Sequence, residues 1–436
     1  MFREDPHDIR LYTEDGKLNA PLLAQSIIYD DFEINNGFLV TKDNMEIWRY
    51  NGGYYEPDGE EVIRSIVQEK LGEECTTHIK NEVISWVKDQ SDLWVERDLF
   101  DENIHLINLQ NGIYNIENDE FIEHNPSYFL STQIPVNYDP DAKINQIEQF
   151  LQDILYIEDI PIIQELTGYF LYRDYPIQKA FMLEGDGSNG KSTLINLFTA
   201  FLGKKNISTI SLQDLIYQRF ARASLYRKLA NLYSDLPDKA VKDTGVFKML
   251  TGGDMIYADR KFKEPFYFRN YAKLVFSTNK IPEAEDNTDA YFRRWIIISF
   301  PNKFEGNNCD KNILKKLTTE EELNGFFNWA IEGLKRLLKN KEFSYSKSTE
   351  LIRDEYERKS SPIAAFVKDC IEEDPEGVET KEDVYNAYKE YCKEEHMPIK
   401  TNNVFSRDLK MYVKNISEGQ RRIDGKKTWR GIKLKI

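Results

Sequence analysis

The stretch KAFMLEGDGSNGKSTLINLF, residues 179–198, decides the fold of this chain. It opens on a short apolar run, Lys179–Gly185, and passes through a glycine-rich loop. It closes on an apolar helix pattern at Leu194, Ile195, Leu197 and Phe198. Strand, loop and helix in that order are the setting in which G-x-x-x-x-G-K-[S/T] wraps nucleotide phosphates. Gly185 and Gly190 admit backbone angles that a side chain forbids. The N–H groups of Gly187, Ser188, Asn189, Gly190 and Thr193 are then free to meet phosphate oxygens, with the helix N-terminus behind them. Lys191 is expected on the β- and γ-phosphates and the Ser192 hydroxyl on Mg²⁺, so the expected ligands are ATP and Mg²⁺.

Working outward, such a loop needs a carboxylate for the metal, usually at the end of a neighbouring strand. KLANLYSDLP, residues 228–237, offers Asp235. Taken alone, Asp235 is as readily a turn residue ending a strand. AKLVFSTNKIP, residues 272–282, delivers Asn279 to another strand end, where it is suited to orient a water near the γ-phosphate or simply to cap a turn. TDAYFRRWIII, residues 288–298, sets Arg293 and Arg294 before a buried strand. They are candidates for an arginine supplied across a subunit boundary, or for surface ion pairs. In TGGDMIYADRKFKEPFYF, residues 251–268, Met255–Ala258 and Phe266–Phe268 suit a hairpin with Arg260, Lys261, Phe262 and Lys263 at its tip. Cations flanking an aromatic suit single-stranded DNA; a solvated turn is the plainer alternative. Apolar runs at Leu229–Tyr233, Leu274–Ser277 and Trp295–Phe300 alternate with helical stretches, which predicts an α/β core with a mostly parallel sheet.

The flanks divide the 436 residues into three. Residues 1–142 read as a small α+β domain, with hairpins in Met45–Gly59 and Asn111–His124 and helices near 61–71 and 81–87. Residues 143–345 hold a helical lead-in and the phosphate-loop core, closed by an amphipathic helix over 323–338. Residues 346–436 start on a linker helix and continue as helix, helix, helix, hairpin, an order that suggests a winged helix. Its third helix, Thr401–Tyr412, carries a Thr N-cap. The closing hairpin turns at Asp424-Gly425.

Charge focuses the functional classes. The net charge is −16, which disfavours unfocused binding to DNA. Residues 401–436 reverse it, with ten basic against three acidic residues. Arg421, Arg422, Lys426 and Lys427 are the candidates there for contact with a duplex or fork; a solubilising tail or a protein-docking surface is the alternative. Cys75, Cys309, Cys370 and Cys392 are scattered and show no zinc spacing. No apolar run nears a membrane span and the start lacks a secretory signal, so a cytoplasmic location and no membrane partner are expected.

In order and spacing, GDGSNGKST, LYSDLP, KMLTGGDMIYADRKFKEPF, LVFSTNKIP and FRRWIIISF resemble a superfamily 3 helicase. More narrowly, they are similar to the ATPase portion of phage and plasmid primase-helicases, the group with the poxvirus-type NTPase. The resemblance runs from about residue 30 onward. It implies a modified AAA+ core in a ring, usually a hexamer, with ATP between neighbouring subunits. Lys191, Ser192, Asp235 and Asn279 would come from one subunit and Arg294, or Arg293, from the next. Lys261 or Lys263 would grip one DNA strand in the channel, with movement typically 3′ to 5′. Two features depart from the family. Ser234-Asp235 stands where many relatives have two adjacent carboxylates, so Asp238 is a second candidate for the general base. The first 140 residues are also too short for a primase, so primer synthesis or initiation would fall to a separate partner. The expected activity is ATP-driven unwinding of forked DNA in replication of a phage, plasmid or other mobile element. The alternative is an initiator or loader that binds ATP and DNA without processive unwinding.

Overall fold

The computed structural model describes residue 12 and residues 18–30, 37–261, 263–286, 288–306, 309–395, 397–420 and 425–435. Helix α1 (Ala20–Gln25), strands β1 (Phe38–Thr41), β2 (Ile47–Tyr50) and β3 (Tyr55–Glu56), helices α2 (Gly59–Leu71) and α3 (Thr77–Lys88) and strand β4 (Trp94–Val95) come first. Their sheet runs β3-β2-β1-β4. The expected first hairpin is β2–β3, with Tyr50 opposite Tyr55. Strands β5 (Leu106–Leu109), β6 (Gly112–Asn115) and β7 (Glu120–Ile122) form a meander whose second turn is the expected second hairpin.

Helices α4 (Gln146–Ile154) and α5 (Ile160–Phe170) lead to strand β8 (Ala180–Glu184) and helix α6 (Lys191–Leu202). Strand β9 (Ile207–Ser208), helices α7 (Leu212–Tyr217) and α8 (Arg219–Arg222), strand β10 (Ala230–Tyr233) and helix α9 (Gly245–Leu250) follow. The hairpin β11 (Met255–Arg260) and β12 (Lys263–Arg269) precedes β13 (Lys273–Thr278), α10 (Asp289–Phe292), β14 (Trp295–Ser299), α11 (Ile313–Leu317) and α12 (Glu320–Asn340). The central sheet is parallel throughout, in the order β14-β8-β13-β10-β9. The chain therefore has a mixed α/β fold.

The continuous apolar runs are explained by burial on both faces. Phe181, Leu183, Val275, Ile296 and Ile298 join one core with α4, α5, α6 and α12. Their strand neighbours Ala180, Met182, Leu274, Phe276, Trp295 and Ile297 join a second core with α7, α9 and the hairpin. A strand with period 2 and two apolar faces has no polar positions left to alternate. The cores ignore the expected break at residue 142, because Ile107, Leu109, Tyr114, Ile134 and Val136 pack into the α4–α12 core.

Helix α13 (Thr349–Ser360) likewise packs Ile352 and Tyr356 onto the central sheet, beyond the expected break at residue 346. Then come α14 (Pro362–Cys370), β15 (Ile371–Thr380), α15 (Lys381–Glu394), α16 (Asn402–Tyr412), β16 (Ser417–Gln420) and β17 (Lys427–Leu434), with sheet order β15-β17-β16. Strand β15 corrects the sequence expectation of helix directly followed by helix. IEEDPEGVET hides it, because half of its residues are charged, it carries a proline and a glycine, and its pairing to β17 is irregular between Glu373 and Val378. Thr401 does precede α16, but its side chain makes no capping hydrogen bond. Asp424 of the expected turn lies outside the described residues, while Gly425 carries φ 71°.

Candidate functional site

Strand β8 is reached on both flanks. The chain proceeds to β9, β10 and β13 on one side and crosses to β14 on the other. Such a switch point opens a crevice at the carboxyl ends of the strands. There lies a cavity of about 730 Å³ lined by residues 187–193, Ser234, Asp235, Ser277 and Asn279. The loop makes it by turning left-handed at Gly187, Ser188 and Gly190, with φ 98°, 49° and 90°. A Cβ on Gly190 would stand 2.6 Å from Ile154 Cγ2, so only glycine lets the loop lie against α4. Ser188 holds its angle without that freedom, backbone strain of the kind that persists where surrounding structure enforces it.

Lys191 Nζ donates to Gly185 O at 2.5 Å, Asn189 Oδ1 at 3.0 Å and Asn279 Oδ1 at 3.3 Å. Burial pushes its pKa down, and Glu184, Asp186 and Asp235 pull partly the other way. Asn189 Nδ2 and Ser277 Oγ are buried and have no hydrogen-bond partner among the described residues. Orphaned buried polar atoms cost free energy, so a polar ligand gains by meeting them. The cradle, the ammonium, the Ser192 hydroxyl and the Asp235 carboxylate fit a nucleoside triphosphate with a divalent cation. Asp235 stands one strand further out than expected, because β13 lies between β8 and β10. Asp238 is exposed and does not line the cavity.

Other lining residues were not legible as motifs. Phe150, Asp153 and Ile154 come from α4, and Ile313 and Leu314 from α11. Only their helical apolar spacing shows in the sequence. Helix α4 is held by Glu322 of α12, whose buried carboxylate accepts from the backbone N–H groups of Asn145, Gln146 and Ile147 at 2.9–3.2 Å. That anion satisfies orphan donors at a helix N-terminus. At the root of the loop, Lys359 of α13 bonds Glu184 Oε2 at 2.5 Å and Ser299 Oγ at 2.6 Å.

The two arginines separate. Arg294 is 7% exposed, and its Nε donates to Thr251 Oγ1 at 3.0 Å while Nη1 donates to Ala290 O. Arg293 is exposed and reaches Gln178 Oε1 at 3.2 Å. Neither lines the cavity of its own chain.

The expected hairpin pairs Ala258 with Phe266 and Arg260 with Lys263. Lys261 is exposed at the turn, Phe262 lies outside the described residues, and Lys263 begins β12. Arg260 leans back, its guanidinium 4.4 Å from the Phe266 ring centroid and 5.2 Å from that of Tyr226. A larger cavity, about 1160 Å³, lies between this hairpin and residues 96–102. It has no glycine-rich loop, so the smaller one remains the nucleotide candidate. In the tail, Arg421 and Arg422 lie outside the described residues, Lys426 Nζ stands 3.3 Å from Glu382 Oε2, and Lys427 opens β17.

A family model described as "D5 N terminal like" matches residues 25–156, and one described as "Family of unknown function (DUF5906)" matches residues 183–294. "Putative helicase L207/L206" of Acanthamoeba polyphaga mimivirus is 29% identical over 216 residues, covering 47% of this chain and 22% of that protein. These matches support a phage and viral primase-helicase family of superfamily 3 type. The chain also resembles "Putative helicase 121R" of Invertebrate iridescent virus 3, at 28% identity over 224 residues, 48% of this chain and 24% of the other. "Putative helicase V13" of Sputnik virophage matches at 24% over 289 residues, 60% and 37% of the two chains. The chain thus spans well under half the length of these curated relatives. The apo structure of the NrS-1 C-terminal region aligns over 95% of this chain and all of that one, with TM-score 0.45 and 12% identity, a likeness too remote to carry an argument. Among the described residues no helix is long and apolar enough to cross a membrane.

Proposed function

We propose that this chain is the ATP-driven motor of a DNA helicase acting in replication of a virus, phage or other mobile element. The observation that carries the reading is the meeting of Lys191, Ser192, Asp235 and Asn279 around one cavity, from three different strand ends and 88 positions apart at the extreme pair. The hairpin β11–β12 is spliced between the two strands that bring Asp235 and Asn279, so a change at the γ-phosphate has a short covalent route to Lys261.

The site's own groups divide the work. Loop N–H groups and Lys191 hold the β- and γ-phosphates, and Asn279 orients the attacking water. Mg²⁺, held by Ser192 and Asp235, would supply charge neutralisation at the phosphate oxygens. Asp235 is the favoured base, since Asp238 stands outside the cavity. The missing cation is a neighbour's: Arg293, exposed on its own subunit, suits supply across a seam, whereas Arg294 is already engaged inside its own chain. A closed ring, a hexamer in this reading, gives every site such a neighbour. Hydrolysis then moves the hairpins, which draw one strand through and exclude the other. The C-terminal order of helix, strand, helix, helix and two paired strands supports the winged-helix reading, with Lys426 and Lys427 toward duplex or fork.

The experiment is ATP-dependent unwinding of forked DNA. Lys191→Ala abolishes it, and Lys261→Ala lowers unwinding far more than ATP hydrolysis. Normal unwinding by both variants would sink the proposal. DNA binding with ATP turnover and no strand separation would favour the initiator reading.

A further inference from the structure

The hairpin β11–β12 buries one face and leaves the other in solvent. Ile256, Ala258 and Phe268 are packed in the second core. Met255, Tyr257 and Tyr267 on the opposite face are 48%, 39% and 65% exposed. Tyr257 and Tyr267 are direct cross-strand partners, with ring centroids 5.3 Å apart and planes at 62°. Exposed Arg269 pairs with Met255 on the same face. Helix α8 runs along β11 and adds exposed Phe220 and Arg219, whose guanidinium meets Asp259 at 2.7 Å. Lys261 stands exposed at the turn.

A cross-strand aromatic pair stabilises a hairpin on its own account. That role does not call for a ring left mostly in water beside three cations, in a chain whose net charge is −16. Open π-faces bordered by cations are how sequence-tolerant proteins hold single strands: bases stack and phosphates meet charge. We propose that Tyr257 and Tyr267 form a base-stacking platform for single-stranded DNA, with Arg219, Lys261 and Arg269 meeting its phosphates. The proposal rests on the reading of this hairpin as the polynucleotide grip and adds the groups that hold the bases. The rings are tilted, so a base lies on the open face of Tyr267 while Tyr257 braces that ring from the side. Asp254 and Glu264 are exposed on the hairpin, and the cleft beside Tyr267 is also lined by Glu96, Asp98 and Glu102. Arg269 lines the same cleft and offsets part of this negative charge, while repulsion from the carboxylates biases the backbone toward Arg219 and Lys261.

The test compares binding of the full chain to labelled oligothymidylate and to an abasic oligonucleotide of equal length. Tyr267→Ala and Tyr257→Ala are each expected to weaken oligothymidylate binding about 10-fold while changing abasic binding less than about 2-fold. Tyr267→Phe retains wild-type affinity. Lys261→Ala weakens both probes and lowers the salt dependence. Tyr267→Leu, which keeps a strand-compatible side chain, repeats the measurement should Ala unfold the hairpin, with circular dichroism as the check. Equal loss on both probes, or no loss, overturns the platform. So does a variant that loses assembly by mass measurement while each protomer binds as before, since the face would then join copies of the chain. A wild-type chain that binds neither probe overturns the grip reading as well; wild-type binding with unaffected tyrosine variants overturns the platform alone.

Discussion

Asn279 Oδ1 lies 3.3 Å from Lys191 Nζ, so the side chain that ends β13 touches the ammonium of the phosphate loop. The contact couples two groups that are expected to act on one γ-phosphate. Lys191→Ala is expected to take ATP hydrolysis to background. Asn279→Ala is expected to lower kcat about 100-fold with a small change in KM, the behaviour of a group that acts mainly in the transition state. Steady-state phosphate release measures both. An Asn279→Ala enzyme with wild-type kcat would reduce Asn279 to a turn residue.

The two arginines predict opposite defects. Arg294→Ala leaves Thr251 Oγ1 and the Ala290 carbonyl without their cation and should cost about 1–3 kcal/mol, seen as a lower melting temperature. Arg293→Ala should melt like the wild type yet hydrolyse ATP about 1000-fold more slowly. Mixing Arg293→Ala with Lys191→Ala chains should restore part of the activity, because a mixed seam pairs an intact Lys191 with an intact Arg293. No recovery on mixing would refute the shared site.

Glu322 links stability to the site. Its carboxylate receives the first N–H groups of α4, and α4 brings Phe150, Asp153 and Ile154 to the cavity wall. Glu322→Ala leaves those donors buried without a partner, at a cost of about 2–4 kcal/mol. We expect a lower apparent melting temperature and weaker binding of a fluorescent nucleotide analogue. Weaker binding without a stability change would show that Glu322 acts by another route.

Asp159 makes stability depend on pH. Burial pushes its carboxyl up to about 6, with Lys347 and Lys359 opposing and Glu158 and Glu355 adding. The folded value is above the unfolded one, so the folded state holds the proton more tightly. Its contribution is therefore fully present below about pH 4 and falls away as pH rises through about 6. Asp159→Asn should flatten that slope and stabilise the protein at pH 7 by on the order of 1 kcal/mol, discounted for partial exposure. Urea unfolding at pH 4, 5, 6 and 7 reads it out, and an unchanged slope would remove Asp159 as the cause.

By itself the sequence determined what is local. Residues 179–198 carry strand, loop and helix because the glycine spacing and the apolar periods are covalent facts within one short stretch. The runs that became β10, β13 and β14 were legible for the same reason: both faces of a central parallel strand are apolar, so burial shows without knowledge of the neighbours. Tertiary structure alone decided what depends on packing between distant segments. It set β13 between β8 and β10, sent Arg294 inward and Arg293 outward, and brought Glu322 to the start of α4 and Lys359 to Glu184. It also made a strand of the charged β15, whose hydrogen bonds to β17 outweigh a poor strand sequence. Such outcomes follow from which surfaces meet, and no single window of residues holds both surfaces.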